Sequence, residues 1–120
     1  MTIYQTRLRN LEDKTVSFSV GIVESCAKYA KDPAKAPMVN QLIRSATSIG
    51  ANYHEANNAS SKTDFRNKIF LAKKEAAETR YWLRVLSDIT GDEELTNFQQ
   101  EALELNLIFQ KIISTMKNGK

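Results

Sequence analysis

Several residue types are scarce in this chain of 120 residues, and each scarcity excludes a class of protein. The single cysteine, Cys26, excludes an intrachain disulfide and a zinc site built from cysteines. The single histidine, His54, excludes sites that need two histidines, including the paired Glu-x-x-His di-iron centre of some helical bundles. Four glycines and two prolines are too few for a collagen-like or low-complexity chain.

Long hydrophobic runs are also missing. No stretch approaches the roughly 20 apolar residues of a membrane span, and the first residues lack the pattern of a signal peptide. We therefore expect a cytoplasmic protein that does not enter a membrane. With 42% hydrophobic and 26% charged residues, the chain has the composition and size of one ordinary domain over residues 1–120.

The chain does contain strong helical periodicity. Apolar residues recur every three or four positions in four long stretches, and no strand pattern competes with them. Short connections join the stretches, so neighbouring helices should run antiparallel. The sequence predicts an all-α, up-and-down four-helix bundle with helices at about 8–31, 37–57, 62–90 and 92–117.

Local signals support the ends of the third helix. Ser61 followed by Asp64 resembles a capping box, in which the serine side chain accepts a hydrogen bond from a backbone N–H. Gly91 is typical of the residue that follows a helix, where a left-handed backbone is common.

Two features of the first and second helices concern packing. Gly50 lies inside the second helix, where glycine costs about 1 kcal/mol relative to alanine, so we expect a neighbouring helix to approach closely there. On the first helix the predicted core stripe consists of Leu8, Leu11, Thr15, Phe18, Ile22, Ser25 and Tyr29. We expect four residues to widen this stripe: Val16, Val20, Val23 and Ala27.

No residue pattern indicates catalysis. His54 is predicted on the outer face of the second helix, and Cys26 lies on an apolar flank where packing is its expected role. Glu75 and Glu78 lie one turn apart, but a cation would need more ligands, so we expect them to form ion pairs. We predict no enzymatic activity, no cofactor and no metal.

The second helix carries a polar stripe outside its core face. Its members fall within about 80° of one another at 100° per residue. They are Arg44, Ser48, Asn52 and Glu55. Arg44 and Glu55 are three turns apart, so each should find a partner on another helix or another chain. The stripe is predicted to be either a buried hydrogen-bond network that sets the bundle register or a ligand-binding site.

The third helix is basic, with seven basic and four acidic side chains in residues 62–90, whereas residues 91–120 carry three and five. Five of the basic residues fall within 40° of one another and form a ridge about 33 Å long. This basic ridge consists of Lys62, Arg66, Lys73, Arg80 and Arg84. It could follow a phosphate backbone. The alternatives are a solvated flank that covers the core edge, or a partner for the acidic fourth helix.

The third helix also has apolar residues on a second face, away from its core stripe. They are Phe70, Ala77, Tyr81 and Val85. A helix of an isolated bundle needs only one apolar face. We therefore expect a second copy of the chain to cover this face. The alternative is that loops or residues 1–4 cover it.

Two segments resemble a known family in combination. They are QLIRSATSIGAN at residues 41–52, followed by Glu55-Ala56, and KEAAETRYWL at residues 74–83. They are similar to the bacterial four helix bundle protein family, also called the 23S rRNA intervening-sequence protein or S23-like family. The resemblance covers nearly the whole chain. It implies an antiparallel four-helix bundle that assembles as a homopentameric ring, with no catalytic residue.

The same family is similar to the accessory proteins of diversity-generating retroelements, which are basic pentameric bundles that bind nucleic acid and a reverse transcriptase. Together with the basic ridge, this resemblance suggests a non-enzymatic, oligomeric bundle that binds RNA or DNA. The alternative is a protein–protein adaptor ring without nucleic-acid contact, in which the ridge meets an acidic protein surface.

Overall fold

The structure, a computed structural model, describes the backbone of residues 2–119. It describes the side chains of Thr2 and of residues 10–117. Its described residues form four long helices and one short 3-10 turn, with no strand among them, so the predicted all-α fold is confirmed. The elements are α1 (Ile3–Cys26), the 3-10 turn (Ala27–Tyr29), α2 (Ala36–Asn57), α3 (Lys62–Thr90) and α4 (Glu93–Gly119).

Contacts between helices show that neighbours run in opposite directions. Near the end of α2, Glu55 meets Lys68 near the start of α3, and further back on α2, Arg44 meets Glu75 further along α3. The same inverted order relates α1 to α2 and α3 to α4. The bundle measures 47 × 26 × 22 Å, so its long axis follows the helices. The predicted antiparallel bundle is confirmed.

The core is built from one apolar stripe of each helix. The Tyr53 and Phe109 rings meet across it with centroids 5.9 Å apart, and the Phe18 and Phe98 rings meet edge to face at 5.8 Å. Aliphatic side chains that are completely buried fill the space between these rings. They are Ile22, Leu42, Ile49, Ile69, Leu83, Leu86, Leu95 and Leu105.

The ends of α3 lie where the local signals predict them. The Ser61 hydroxyl accepts a hydrogen bond of 3.0 Å from the backbone N–H of Asp64, which satisfies one of the unpaired donors of the first turn. Gly91 ends the helix with φ of +69°, a left-handed conformation that glycine adopts without steric cost. Both predicted boundaries of α3 are therefore confirmed.

The boundaries predicted for the first helix are wrong at both ends. α1 begins at Ile3 rather than at about residue 8, and its α-helical part ends at Cys26 rather than near residue 31. Pro33 disfavours a helical conformation in the residue before it, and the chain tightens into a 3-10 turn earlier than that. In the last residue of this turn, the Tyr29 hydroxyl donates a hydrogen bond of 2.6 Å to Asp92, which directly precedes α4.

The part of the core assigned to the valines of α1 is also wrong. Val16, Val20 and Val23 are 56%, 51% and 41% exposed, and Ala27 is exposed as well. The main part of the predicted α1 stripe is buried as expected: Thr15, Phe18 and Ile22 are at most 2% exposed, and Thr15 faces α2. A Cβ atom at Gly50 would lie only 2.9 Å from the Thr15 hydroxyl oxygen, so this close contact fixes the rotation of α1. It confirms the close approach predicted at Gly50.

Candidate nucleic-acid interface

The basic ridge lies along the seam between α3 and α4. In its second half, Arg80 and Arg84 border an open groove whose other wall contains Gln99 and Asn106 of α4. In its middle, the backbone carbonyl of Lys73 accepts a hydrogen bond of 3.0 Å from the Asn106 side-chain amide. The antiparallel packing of α4 thus supplies a polar, uncharged border to this part of the ridge.

The charges of the ridge are almost uncompensated. Among the side chains that the structure describes, no carboxylate lies within ion-pair distance of Lys62, Arg66, Lys73 or Arg80. Arg84 has a carboxylate oxygen of Asp88 at 3.9 Å, but the two side chains are 76% and 72% exposed. A long pair of this kind in water contributes little, so the ridge presents its positive charge to solvent.

Among the described residues no carboxylate of residues 91–120 pairs with the ridge, and the two that form ion pairs bind the first helix and the turn after it. Glu104 lies 3.9 Å from Lys14 of α1, and Asp92 lies 2.9 Å from Lys28 in the 3-10 turn. Within the described part of the chain, the predicted alternative in which the ridge neutralises an acidic fourth helix is therefore not found.

One basic residue of this surface was not predicted from the sequence. Lys117 in the last turn of α4 borders a small groove together with Lys62 and Arg66 at the start of α3. The wheel of a single helix cannot show this contribution, because it depends on the register between α3 and α4. The antiparallel connection predicted from the short loop could have indicated it.

The second face of α3 is exposed, and its two aromatic residues have different surroundings. Phe70 is 42% exposed, and the Arg66 guanidinium lies 5.7 Å from the centroid of its ring. Tyr81 is 60% exposed and borders the groove beside Arg80. Ala77 is exposed and Val85 half-buried. The alternative was that loops or residues 1–4 cover this face. Residues 3 and 4 begin α1, and the side chains of residues 1, 3 and 4 lie outside the described residues.

The polar stripe of α2 is divided between two roles. Arg44 binds Glu75 and Glu78 of α3, the former at 3.3 Å, and Glu55 binds Lys68 of α3 at 2.8 Å. The hydrogen bond with Glu78 raises the pKa of Arg44. Arg44 and Glu55 are 46% and 55% exposed, so these pairs lie on the surface and do not form the buried network that was predicted as one alternative.

The remaining two members of the stripe bond to their own helix. The Ser48 hydroxyl donates to the backbone carbonyl of Arg44 at 2.7 Å, and the Asn52 amide donates to the carbonyl of Ser48 at 2.8 Å. Because these side chains have local partners, the structure gives no support to a ligand-binding role of the stripe. The buried polar contact between α2 and α3 is elsewhere, where the Ser45 and Thr79 hydroxyl oxygens lie 2.9 Å apart.

The described residues contain no recognisable catalytic centre or metal site. His54 is exposed and lies 2.7 Å from a carboxylate oxygen of Glu12 on α1. Cys26 is fully buried, and this burial raises the pKa of its thiol to about 11, so the thiolate that a nucleophile needs does not form near neutral pH. No group of three potential metal ligands occurs in this part of the chain, and no described helix could cross a membrane.

Fold and surface define a small antiparallel helical bundle with a cationic seam and no catalytic centre among its described residues. Residues 10–113 match the model of the 23S rRNA-intervening sequence protein family, and the chain therefore belongs to that family. It is similar to the crystal structure of a protein of unknown function from the S23 ribosomal protein family of Bacteroides thetaiotaomicron, with 38% identity and a TM-score of 0.79. The similarity covers 85% of this chain and 96% of that one. No curated protein matches the chain.

Proposed function

We propose that this protein is a non-enzymatic bundle that binds RNA or DNA through the basic ridge of α3. The supporting observation is that four of the five ridge cations have no carboxylate partner among the described side chains. Their charge is thus available to phosphates along about 33 Å of one helix. Phosphate contacts do not depend on sequence, so binding through the ridge is expected to be nonspecific and strongly dependent on salt.

Neutralisation of the ridge tests this proposal. In the triple variant Arg66→Gln, Lys73→Gln, Arg80→Gln, the affinity for RNA and DNA should fall at low salt because three phosphate contacts are lost. Each phosphate contact contributes about 0.7 to 0.9 to the slope of log K against log salt. The slope should therefore become smaller by about 2 to 3, as measured by fluorescence anisotropy over a salt series.

A matched variant controls for net charge. Lys31→Gln, Lys74→Gln, Lys111→Gln removes the same number of charges from exposed lysines outside the ridge. It should keep most of the affinity and slope of the wild type. If the two triple variants weaken binding equally, the ridge is not the binding surface, and if the wild type binds no nucleic acid at low salt, the proposal is wrong.

The second candidate is an adaptor that binds an acidic surface of another protein through the same ridge. The exposed aromatic residues beside the ridge favour it, because Phe70 and Tyr81 could be buried in a protein interface. Absence of nucleic-acid binding at low salt, together with a protein partner that is lost in the ridge variant, would support the adaptor.

We also propose that the chain associates with copies of itself. Supporting this, the described structure leaves large apolar residues exposed on α1 as well as on α3. Val16, Val20 and Val23 recur along one face of α1, and large contiguous apolar patches are rare on monomeric proteins. The family resemblance implies a homopentamer.

A further inference from the structure

One groove on the seam between α3 and α4 combines features that a phosphate-binding ridge does not need. It is open, has a volume of about 500 Å³, and is lined by Ala77, Arg80, Tyr81, Arg84, Gln99 and Asn106. We call it the Tyr81 groove. A neighbouring groove of about 340 Å³ shares Arg80 and Gln99 with it and adds Asn97 and Gln100. Each lining contains Arg80 and no carboxylate, so both grooves attract an anion.

We propose that the Tyr81 groove binds an unpaired base of a single-stranded nucleic acid, which stacks on the ring of Tyr81 while Arg80 and Arg84 contact the flanking phosphates. This inference rests on the proposed nucleic-acid function and deepens it. It assigns to the protein a preference for single strands over duplexes, and it assigns that preference to one side chain.

The environment of Tyr81 suits a stacking platform. Its side chain is 60% exposed, although aromatic rings stabilise a fold mainly when they are buried. Trp82 supports it from one side, with ring centroids 5.1 Å apart and an interplanar angle of 76°. The Trp82 ring is itself held by a hydrogen bond of 3.2 Å from its N–H to Glu78. A ring held in this way loses little conformational freedom when a base stacks on it.

The two arginines are placed to bind the phosphates on either side of that base. Arg80 and Arg84 are one helical turn apart, so their backbones are separated by about 6 Å along the axis. Phosphates of an extended, unstacked strand are more widely spaced than the 3.4 Å rise of duplex DNA, and one turn of helix accommodates this wider spacing. Arg80 has no ion pair among the described residues, so binding a phosphate breaks no contact of that kind.

The amides of the opposite wall are fixed by the bundle. The Gln99 amide donates a hydrogen bond of 2.9 Å to the Ser87 hydroxyl, and the Asn106 amide donates one of 3.0 Å to the backbone carbonyl of Lys73. Both side chains are half-buried, and their oxygens accept no hydrogen bond from the described residues. These oxygens are available to N–H groups on the Watson–Crick edge of a base, which is exposed only when the base is unpaired.

Phe70 shows why the inference is limited to Tyr81. It is the other exposed aromatic residue of this face, but the guanidinium of Arg66 lies over its ring at 5.7 Å. A base could stack there only by displacing that cation–π contact. At Tyr81 no cation–π contact is present in the described structure.

The experiment compares single strands with duplexes of the same sequence. Fluorescein-labelled mixed-sequence RNA and DNA, each as a single strand and as an annealed duplex, are titrated at low salt against the wild type, Tyr81→Ala and Tyr81→Phe. Loss of one stacked base should weaken single-strand binding of Tyr81→Ala roughly 5- to 150-fold. Duplex binding should not change, because the phosphate contacts remain, and Tyr81→Phe should bind single strands like the wild type.

Controls separate this inference from the proposed function and from a role of Tyr81 in self-association. Leu107→Ala changes an equally exposed apolar residue of α4 outside the groove and should leave all affinities unchanged. The inference is overturned if Tyr81→Ala leaves single-strand binding intact, weakens both forms equally, or lowers the oligomeric mass. If the wild type binds neither form, both proposals are wrong. If only the ridge variant loses binding, the proposed function stands and the inference does not.

Discussion

At the scale of single residues, two glycines in helix interiors show how closely the helices approach. A Cβ atom at Gly50 would meet the Thr15 hydroxyl oxygen at 2.9 Å and its Cβ at 3.1 Å. Thr15 is buried, and its β-branched side chain has few rotamers. Its hydroxyl donates a hydrogen bond of 2.7 Å to the backbone carbonyl of Glu12. A Cβ atom at Gly21 would instead meet only the far edge of the half-buried Phe98 ring, at 2.9 Å.

Alanine at these two positions should therefore have different effects. Either substitution gains about 1 kcal/mol of helix propensity. Gly50→Ala must also separate α1 from α2, an overpacking cost of about 1–3 kcal/mol, so we expect a net loss of up to about 2 kcal/mol in the free energy of unfolding. Gly21→Ala needs only a shift of the Phe98 ring, so the free energy of unfolding should change by less than about 1 kcal/mol in either direction.

Urea unfolding of the two variants beside the wild type measures this difference. An equal loss in both would mean that the α1–α2 contact can relax as easily as the Phe98 ring. A stabilised Gly50→Ala would show that the close approach at Thr15 is not a constraint on the fold.

At the scale of elements, Asp92 joins the end of the first helical segment to the start of α4. Its carboxylate accepts hydrogen bonds from the Tyr29 hydroxyl at 2.6 Å, from Lys28 at 2.9 Å and from the backbone N–H of Glu94 at 3.0 Å. The bond from Tyr29, followed by that from Lys28, lowers the pKa of Asp92 to about 2. Its side chain is only 11% exposed, so solvent screens these bonds little.

The low pKa makes this junction sensitive to acid. The pKa of an aspartate in the unfolded chain is about 3.9, so ionised Asp92 contributes its full stabilisation above that pH and loses it as the pH falls toward 2. The difference in pKa corresponds to about 2–3 kcal/mol. Asp92→Asn should therefore lower the free energy of unfolding by about 1–2 kcal/mol at neutral pH, and by less below pH 4.

Unfolding in urea across that pH range tests this, with Asp13→Asn as the control. Asp13 is an exposed aspartate of α1 without an ion pair among the described residues. Its substitution should leave stability nearly unchanged at every pH. A constant gap between Asp92→Asn and the wild type from neutral to acidic pH would contradict the assigned role of the charge.

The elements also show what sequence can predict and what it cannot. The ends of α3 were predictable because Ser61 and Gly91 act within one helical turn. The centre of the α1 core face was predictable too, but its width was not, because Val16, Val20 and Val23 fit the same apolar period and only the contacts with neighbouring helices leave them outside. A helical wheel places residues on one helix but does not select which flank meets a neighbour.

The candidate site divides in the same way. The basic ridge was predictable, because all of its members lie on α3 and share one face of that helix. Its surroundings were not, since Gln99, Asn106 and Lys117 belong to α4 and reach the ridge only through the register between the two helices. The different surroundings of Phe70 and Tyr81 could not be predicted for the same reason, because the two residues lie on one face of α3 and differ in their neighbours.

At the scale of the whole molecule, two sets of exposed apolar residues lie on different helices. One set is Val16, Val20 and Val23 on α1 and the other includes Phe70 on α3. Each of these helices packs against α2 and α4, so they occupy opposite corners of the bundle. Two different apolar faces on opposite sides suit a head-to-tail interface, which closes into a ring or continues as a filament, more than a two-fold dimer.

Removal of either face should therefore disrupt assembly. We expect the wild type to sediment as a closed oligomer. The sedimentation mass of the double variant Val16→Ser, Val20→Ser should fall toward that of the 13.6 kDa monomer, and so should the mass of the separate variant Phe70→Ser. The two α1 positions are already exposed in the protomer, so these substitutions should leave its helix content and unfolding unchanged. Leu107→Ser, at an exposed position of α4, is the control and should keep the wild-type mass.

Monomeric wild type would refute self-association. Loss of assembly in only one of the two interface variants would replace the head-to-tail arrangement with an interface that pairs one face with itself.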